Sequence, residues 1–232
     1  MENKLNYKRI GKKLEKEVKS IFQLLILGDC EVGKTCLIKR ILYNEFNEEY
    51  NKTISFEFNW NNFEIENEIY TLQIWDITGK ENFNLISENF YKKCKCAFFI
   101  YSIDNKKSFL NIKERLNAFR NYSSQNTIIF LIGNKNDRSS KREIDYSEGN
   151  KFKNENNLDY FFEISCKNND GIEHILEMLF ISIISQLNFN DNFFDDQSEL
   201  SRKLKQSVNS SNFNKKINEK CACQNICDCF IF

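Results

Sequence analysis

The segment Gly-Asp-Cys-Glu-Val-Gly-Lys-Thr, residues 28–35, has the residue types and the spacing of a loop that binds phosphate. In such a loop the backbone N–H groups point at the β-phosphate, and the dipole of the following helix favours negative charge. Lys34 would reach the β- and γ-phosphate oxygens, and the Thr35 hydroxyl would bind Mg²⁺. The alternative is a strand–turn–helix unit that merely contains glycines and a lysine.

A second motif, Gly-Asn-Lys-Asn-Asp at residues 133–137, indicates which base the nucleotide carries. A carboxylate can accept two hydrogen bonds from the N1–H and N2–H₂ groups of guanine, whereas adenine offers no such pair of donors. We assign this role to Asp137. Lys135 can cover the base with its methylene stem, and Asn134 can tie this segment to the phosphate loop. In a chain rich in Asn and Lys the motif also arises by chance, so its place at a strand end matters.

Two further segments supply candidate metal ligands. Trp-Asp-Ile-Thr-Gly, residues 75–79, ends a predicted strand and brings the Asp76 carboxylate near a bound metal through a water. The Gly79 N–H would meet the γ-phosphate. Thr53 precedes a strand and can offer Mg²⁺ a second hydroxyl, although by itself it would be an ordinary strand-start threonine.

The elements that must position these motifs alternate between strands and helices. Residues 21–27 form a near-continuous apolar run, which is typical of a strand buried on both faces. The other predicted strands are 54–63, 69–75, 97–101, 128–132 and 160–164, and the predicted helices are 34–43, 106–121, 147–156 and 171–187. This order predicts an α/β fold with a mostly parallel six-stranded sheet flanked by helices on both faces. Such folds bind ligands beyond the carboxyl ends of their strands.

Composition excludes several classes of protein. The 232 residues include 33 Lys+Arg and 33 Asp+Glu, and this zero net charge argues against a sequence-independent nucleic-acid binder. A hydrophobic content of 41% is enough for a core and excludes global disorder. No apolar run approaches the roughly 18–20 residues of a membrane-spanning helix. The polar N-terminus lacks the apolar stretch of a secretory signal, so we expect a cytosolic chain with free thiols.

Three regions follow from these patterns. Residues 1–20 are polar and basic, and we expect a solvated extension in preference to a short helix. Residues 21–187 carry all the nucleotide motifs and form the predicted globular domain. Residues 188–232 pass from an acidic stretch to a basic one with little to bury, which predicts a flexible tail.

Taken together, the motifs resemble those of small GTPases of the Ras superfamily, and most of all its Rab branch. The resemblance covers about residues 21–187 and rests on the segments 28–37, 50–58, 72–76, 79–83, 133–137 and 163–167. It implies a P-loop NTPase G domain that binds GTP or GDP with Mg²⁺ and hydrolyses GTP to GDP and phosphate. It also implies a membrane-anchored switch in vesicle traffic. The partners of such a switch are an exchange factor, a GTPase-activating protein, a prenyl-transfer escort, a GDP-dissociation inhibitor and effectors.

The same resemblance implies roles for further residues. Phe46 would stack on the guanine, Tyr50 would close over the phosphates, and the segment Ser165-Cys166-Lys167 would support the guanine pocket. The residues implied to contact the phosphate side of the nucleotide are Cys30, Glu31, Val32, Gly33, Lys34, Thr35 and Cys36. Phe58, Trp75 and Phe90 resemble a hydrophobic triad that Rab proteins present to partners, for which ordinary core packing is the alternative.

Several positions depart from the family pattern. Cys30 and Glu31 replace small residues next to the phosphates, Ser55 replaces a glycine, and Lys80 stands where the catalytic glutamine is usual. Glutamine can accept from and donate to the attacking water, whereas protonated lysine only donates. We therefore expect slow intrinsic hydrolysis. A GTP-binding scaffold without hydrolysis, controlled by exchange, is the alternative, and another P-loop kinase or ATPase is disfavoured by Asp137 and by the tail.

The tail carries Cys221, Cys223, Cys227 and Cys229. Cys229-Phe-Ile-Phe fits a prenylation motif with a geranylgeranyl preference, and Cys227 offers a second site. Two lipids anchor stably where one does not, and the preceding basic residues would attract anionic lipid. We expect lipidation at Cys227 and Cys229 and a location on the cytoplasmic face of an endomembrane. Prenylation of Cys229 alone with palmitoylation nearby, incidental thiols and a cramped zinc site are the alternatives.

Overall fold

A computed structural model describes residues 5–12, 17–48, 57–76 and 88–191. The strands in these ranges are β1 (Tyr7–Gly11), β2 (Val18–Gly28), β3 (Glu57–Ile65), β4 (Glu68–Asp76), β5 (Cys96–Ser102), β6 (Ile128–Asn134) and β7 (Tyr160–Glu163). The α-helices are α1 (Lys34–Tyr43), α2 (Glu88–Lys93), α3 (Lys106–Arg120), α4 (Tyr146–Glu155) and α5 (Ile172–Asp191), and a 3₁₀ helix spans Asn136–Lys141. Residues Leu5–Ile183 form one compact unit, and the contacts described below lie within it.

The strands form one sheet in the order β1-β3-β4-β2-β5-β6-β7. Only the β1–β3 and β3–β4 pairings described are antiparallel, so the prediction of a mostly parallel α/β sheet is confirmed. The parallel strands end together, because Ile26 pairs with Asp76 and Ser102 pairs with Asn134. The phosphate loop, the candidate metal ligand Asp76 and the base motif therefore meet at the carboxyl edge of the sheet.

The seventh strand is the difference from the six-stranded prediction. Residues 7–11, expected to be a solvated extension, pair with the far end of β3 as an antiparallel edge strand. Arg9 Nε donates to the carbonyl of Ile41 at the end of α1 (2.8 Å), and the Tyr7 ring packs edge-on against Phe180 at 5.2 Å. The prediction of a solvated extension is therefore wrong for residues 7–11, because the Tyr7 ring and the Arg9 guanidinium find partners in the folded domain despite the many charges of the segment.

Helices cover both faces of the sheet. On one face Leu25, Leu27 and Phe99 pack with Ile112 and Leu116 of α3 in a buried cluster. On the other face α5 packs against strands β3 and β7 through ring pairs Phe63–Phe180 and Phe162–His174. Six apolar residues along α5 form a buried stripe: Ile172, Ile175, Leu176, Leu179, Phe180 and Ile183. No helix within the described ranges is both long and apolar enough to cross a bilayer.

Candidate nucleotide-binding site

Close contacts with neighbouring strands require both glycines of the phosphate loop. A Cβ atom on Gly28 would lie 2.2 Å from the carbonyl oxygen of Ile100. A Cβ atom on Gly33 would lie 2.3 Å from Nδ2 of Asn134, and Gly33 also adopts a φ of +97°. Only glycine lets the chain turn here while β5 and β6 approach the loop. The motif spacing is therefore a consequence of how closely neighbouring strands pack against it.

Lys34 begins α1 and is buried against the loop. Its Nζ donates to the carbonyls of Gly28 (2.8 Å) and Asp29 (2.9 Å). These contacts hold the Lys34 side chain over the phosphate loop, which directly precedes α1. An ammonium group in this place can neutralise phosphate charge, because the N-terminus of α1 also favours anions.

Thr35 and Asp76 lie side by side at the ends of α1 and β4. Thr35 Oγ1 donates to Asp76 Oδ2 at 2.5 Å, and Asp76 is fully buried. A hydroxyl and a carboxylate are oxygen ligands of the kind that Mg²⁺ prefers, and they would hold the ion beside the phosphate loop. These two residues therefore fit the metal that the sequence predicts. Thr53, the third predicted metal ligand, lies outside the described residues.

The base motif is tied to two other loops by Asn134. Its Nδ2 donates to the carbonyl of Val32 (2.8 Å), which is the link to the phosphate loop that the sequence suggested. Its Oδ1 accepts from the backbone N–H of Cys166 (3.2 Å). One buried amide thus fixes the phosphate loop, the base motif and the segment 165–167 relative to each other.

Asp137 is oriented by Ser165. The Ser165 hydroxyl donates to Asp137 Oδ1 (2.6 Å) and itself accepts from the N–H of Asn168 (3.1 Å). Lys135 precedes the acidic residue by two positions and adopts a left-handed φ of +69°. The carboxylate is therefore held in one orientation, which a forked contact to guanine requires.

Arg40 links Phe46 to the segment around Cys166, and the sequence analysis did not identify it. Its Nε donates to the Cys166 carbonyl (2.7 Å), its Nη2 donates to the Lys167 carbonyl (2.9 Å), and its guanidinium lies 5.4 Å from the Phe46 ring. Lys167 also pairs with Glu48 at 2.7 Å. That hydrogen bond raises the pKa of Lys167 and lowers the pKa of Glu48. Both side chains are exposed, so the pair orders the rim and adds little stability.

Cys36 and Cys166 are two of the cysteines in this site, and both are at least partly shielded from solvent. Burial raises the pKa of Cys36, which follows the phosphate loop, and burial also raises the pKa of Cys166. A thiol is a weak nucleophile compared with a thiolate. These cysteines can therefore line the site but do not supply a reactive anion near neutral pH.

The pair Arg142–Glu163 also contacts the base motif, and the sequence did not predict it. Arg142 donates through Nη1 and Nη2 to the two carboxylate oxygens of Glu163 at 2.6 and 2.7 Å, and its Nη2 also donates to Asn136 Oδ1 (2.9 Å). The bond to Glu163 raises the pKa of Arg142. No signal in the sequence marked this pair, because the two residues are separated by 21 positions.

The remaining predicted site residues lie outside the described part of the chain. These are Tyr50, Thr53, Gly79, Lys80, Cys227 and Cys229, together with the side chain of Phe90 and the variant position Ser55. Two members of the hydrophobic triad are described: Phe58 and Trp75 pack with ring centroids 4.7 Å apart. The side chain of Phe58 is 43% exposed, which favours a surface role for it over core packing.

Comparison with known proteins agrees with this geometry. A model of the Ras family matches residues 23–185. Ras-related protein Rab-11C of Dictyostelium discoideum is 34% identical over 169 residues, which are 73% of this chain and 75% of that protein. The chain belongs to the Rab family of small GTPases. GTP-binding protein ypt1 of Schizosaccharomyces pombe is 31% identical over 191 residues, 82% of this chain and 93% of that protein. As a Rab-family GTPase the protein binds GTP and GDP with Mg²⁺ and hydrolyses GTP.

Proposed function

We propose that this Rab-family GTPase is a membrane-anchored switch that regulates vesicle traffic by alternating between GTP- and GDP-bound forms. The observation that carries the proposal is Asn134, which joins the phosphate loop to the base motif at one edge of the sheet. A single nucleotide can therefore contact both segments at once. Phe58 is exposed and packs beside Trp75. This apolar pair is evidence for a surface that effectors, exchange factors and activating proteins recognise.

The proposed binding roles are supported by the placement of the described residues, and for Tyr50, Thr53 and Gly79 by the motifs and the family resemblance alone. Lys34 neutralises the β- and γ-phosphates, assisted by backbone N–H groups of the loop 30–36. Asp137 accepts the two donors of guanine, and Lys135 and Phe46 cover the base. Thr35, Asp76 and Thr53 hold Mg²⁺, which when bound offsets charge on the phosphate oxygens. Tyr50 and Gly79 complete the γ-phosphate side, and Ser165, Cys166 and Lys167 complete the base side.

Base selectivity is the experiment that tests nucleotide recognition. Purified protein loaded with a fluorescent GDP analogue should release it to competing GDP or GTP at micromolar concentration or below, and not to millimolar ATP. Equal competition by ATP would contradict the assignment of Asp137 and would favour a P-loop kinase or ATPase.

The intrinsic turnover of this GTPase is expected to be slow because of Lys80. Water must be held in line with the γ-phosphorus, and an ammonium group offers no acceptor to orient it. Single-turnover hydrolysis should be faster in Lys80→Gln than in the wild type or in Lys80→Ala. If the wild type is the fastest of the three, Lys80 is a working catalytic residue and the proposal is wrong.

The alternative is a scaffold whose state is set by nucleotide exchange alone, and the same substitution at Lys80 favours it. The two functions separate when a GTPase-activating protein is added. An activating protein that supplies its own arginine and glutamine accelerates turnover of a switch, whereas a scaffold retains GTP. Retention of GTP in the presence of every tested activating protein would favour the scaffold.

Membrane attachment is proposed to depend on geranylgeranyl groups at Cys227 and Cys229. The basic residues between 202 and 220 support it, since each adds about 1 kcal/mol of attraction near an anionic surface.

The Cys227→Ser, Cys229→Ser double variant should move from endomembrane to cytosol in fractionated cells and keep its GTP binding. The matched control is Cys221→Ser, Cys223→Ser, which should stay on membranes. A double variant at 227 and 229 that remains membrane-bound would refute the lipid sites, and with them recognition by a prenyl-transfer escort and a GDP-dissociation inhibitor.

A further inference from the structure

The carboxylate of Asp29, the second residue of the phosphate loop, is held by helix α3. Arg115 donates to its Oδ1 through Nη2 (2.8 Å) and Nε (3.1 Å), and Asn111 Nδ2 donates to its Oδ2 (2.6 Å). The two donors lie four positions apart and so share one face of the helix. The side chains of Arg115 and Asp29 are only 13% and 19% exposed. A largely buried carboxylate is thus satisfied by three hydrogen bonds from one helix.

The backbone of Asp29 contacts the lysine that faces the phosphates. Its carbonyl accepts from Lys34 Nζ (2.9 Å). One residue therefore connects α3 with the ammonium group of the loop. On the opposite flank, Asn134 Nδ2 binds the carbonyl of Val32 (2.8 Å), so the loop is fixed from both sides.

The conformation of this loop needs such support. Glu31 adopts a φ of +67°, a left-handed conformation that residues with a Cβ atom rarely adopt. A disfavoured backbone conformation persists only where the surrounding structure fixes it. Glu31 itself is exposed, so its own side chain is not buried in packing that would fix it.

Helix α3 is a rigid support for this contact. Ile112, Leu116 and Phe119 on its inner face are fully buried in the core cluster that includes Leu25 and Leu27 of β2. Asn111 and Arg115 alternate with these buried residues along the helix. Their positions are therefore set by core packing and not by the loop that they contact.

We propose that Arg115, together with Asn111, is a positioning residue that holds the phosphate loop in its nucleotide-binding shape and so sets how long GDP stays bound. It acts through Asp29 and does not touch the nucleotide. The inference rests on the proposed binding of guanine nucleotide at this loop. Its consequence is that displacement of α3 would be transmitted to the phosphates.

The test is the dissociation rate of a fluorescent GDP analogue from the full chain, chased with excess GDP at fixed Mg²⁺. Arg115→Ala should accelerate release by about tenfold or more, the effect of losing hydrogen bonds to a charged group. Arg115→Lys should give an intermediate rate, because an ammonium keeps the charge but not the two-pronged donor. The matched control is Lys113→Ala, which removes an exposed cation from the same helix and should leave the rate unchanged.

A double-mutant cycle separates positioning from a general loss of stability. Arg115→Ala introduced into an Asp29→Asn background should accelerate release much less than it does alone, because its partner is already weakened. Equal acceleration in both backgrounds, or wild-type release from Arg115→Ala, would overturn the proposal. If Arg115→Ala fails to fold, Arg115→Lys measured in the same two backgrounds decides the question. Failure of the wild type itself to retain the GDP analogue would instead refute the proposed binding of the nucleotide at this loop.

Discussion

Replacing Asp137 by asparagine is expected to weaken GDP and GTP binding by about ten- to a hundredfold, the equivalent of roughly 1.5–3 kcal/mol for hydrogen bonds to a charged group. The Ser165 hydroxyl, 2.6 Å from Asp137 Oδ1, already orients the carboxylate. The affinity for guanine therefore depends on whether the side chain at position 137 can accept two hydrogen bonds, and not on whether it can reach the right conformation. An amide at this position presents N–H₂ to the base. The C2 oxygen of xanthine can accept from it, and preference should move toward xanthosine nucleotides.

Competition between GDP and xanthosine diphosphate for the fluorescent analogue measures both effects. Ser165→Ala should weaken GDP by a smaller factor without gain for xanthosine, because it loosens the carboxylate but leaves it an acceptor. Glu155→Gln, an exposed acidic residue paired only with Lys151 among the ion pairs described, controls for loss of charge. Unchanged GDP affinity in Asp137→Asn would remove the assignment of this residue.

The contiguous motifs were predictable because each depends on residues that are neighbours in the sequence. The run 21–27 is apolar except for Gln23, and from Leu24 to Leu27 β2 is buried on both faces, although Ile21 at its start is exposed. The end of the run at Gly28 marks the carboxyl edge of the sheet. The loop 28–35 contains its own glycines and lysine, so its chemistry is readable without knowledge of the fold. Placement of Asp76 and Asn134 at the same edge then followed from the rule for parallel strands.

Contacts that join distant segments were not predictable in the same way. Asp29 and Arg115 are 86 positions apart, and Arg40 meets Cys166 across 126 positions. In the sequence, Asp29, Arg115 and Arg40 each resemble an ordinary surface charge, because the neighbouring residues do not indicate which partner the fold will provide. The same limit explains β1, where the anchoring partners Ile65, Ile41 and Phe180 all lie far along the chain.

Gly33→Ala is expected to weaken nucleotide binding strongly, because the phosphate loop has no room for a Cβ atom at this position. The new Cβ would lie 2.3 Å from Asn134 Nδ2, the atom that bonds the carbonyl of Val32 at 2.8 Å. Either the amide moves, and the link between the phosphate loop and the base motif breaks, or the loop moves away from the phosphates. A left-handed φ adds about 1–2 kcal/mol for a residue with a Cβ atom, and the lost buried hydrogen bond adds about 1–3 kcal/mol.

The two contributions together predict a loss of GDP affinity by a factor of roughly thirty to several thousand. Gly11→Ala is the matched control, because Gly11 also has a left-handed φ of +80° but a Cβ there meets nothing within 4 Å. It should lower the free energy of unfolding by the backbone strain alone and leave GDP affinity unchanged. Titration of the fluorescent GDP analogue and urea unfolding of both variants separate strain from clash. If Gly33→Ala binds GDP as well as Gly11→Ala does, the approach of Asn134 to the loop is not what requires glycine at position 33.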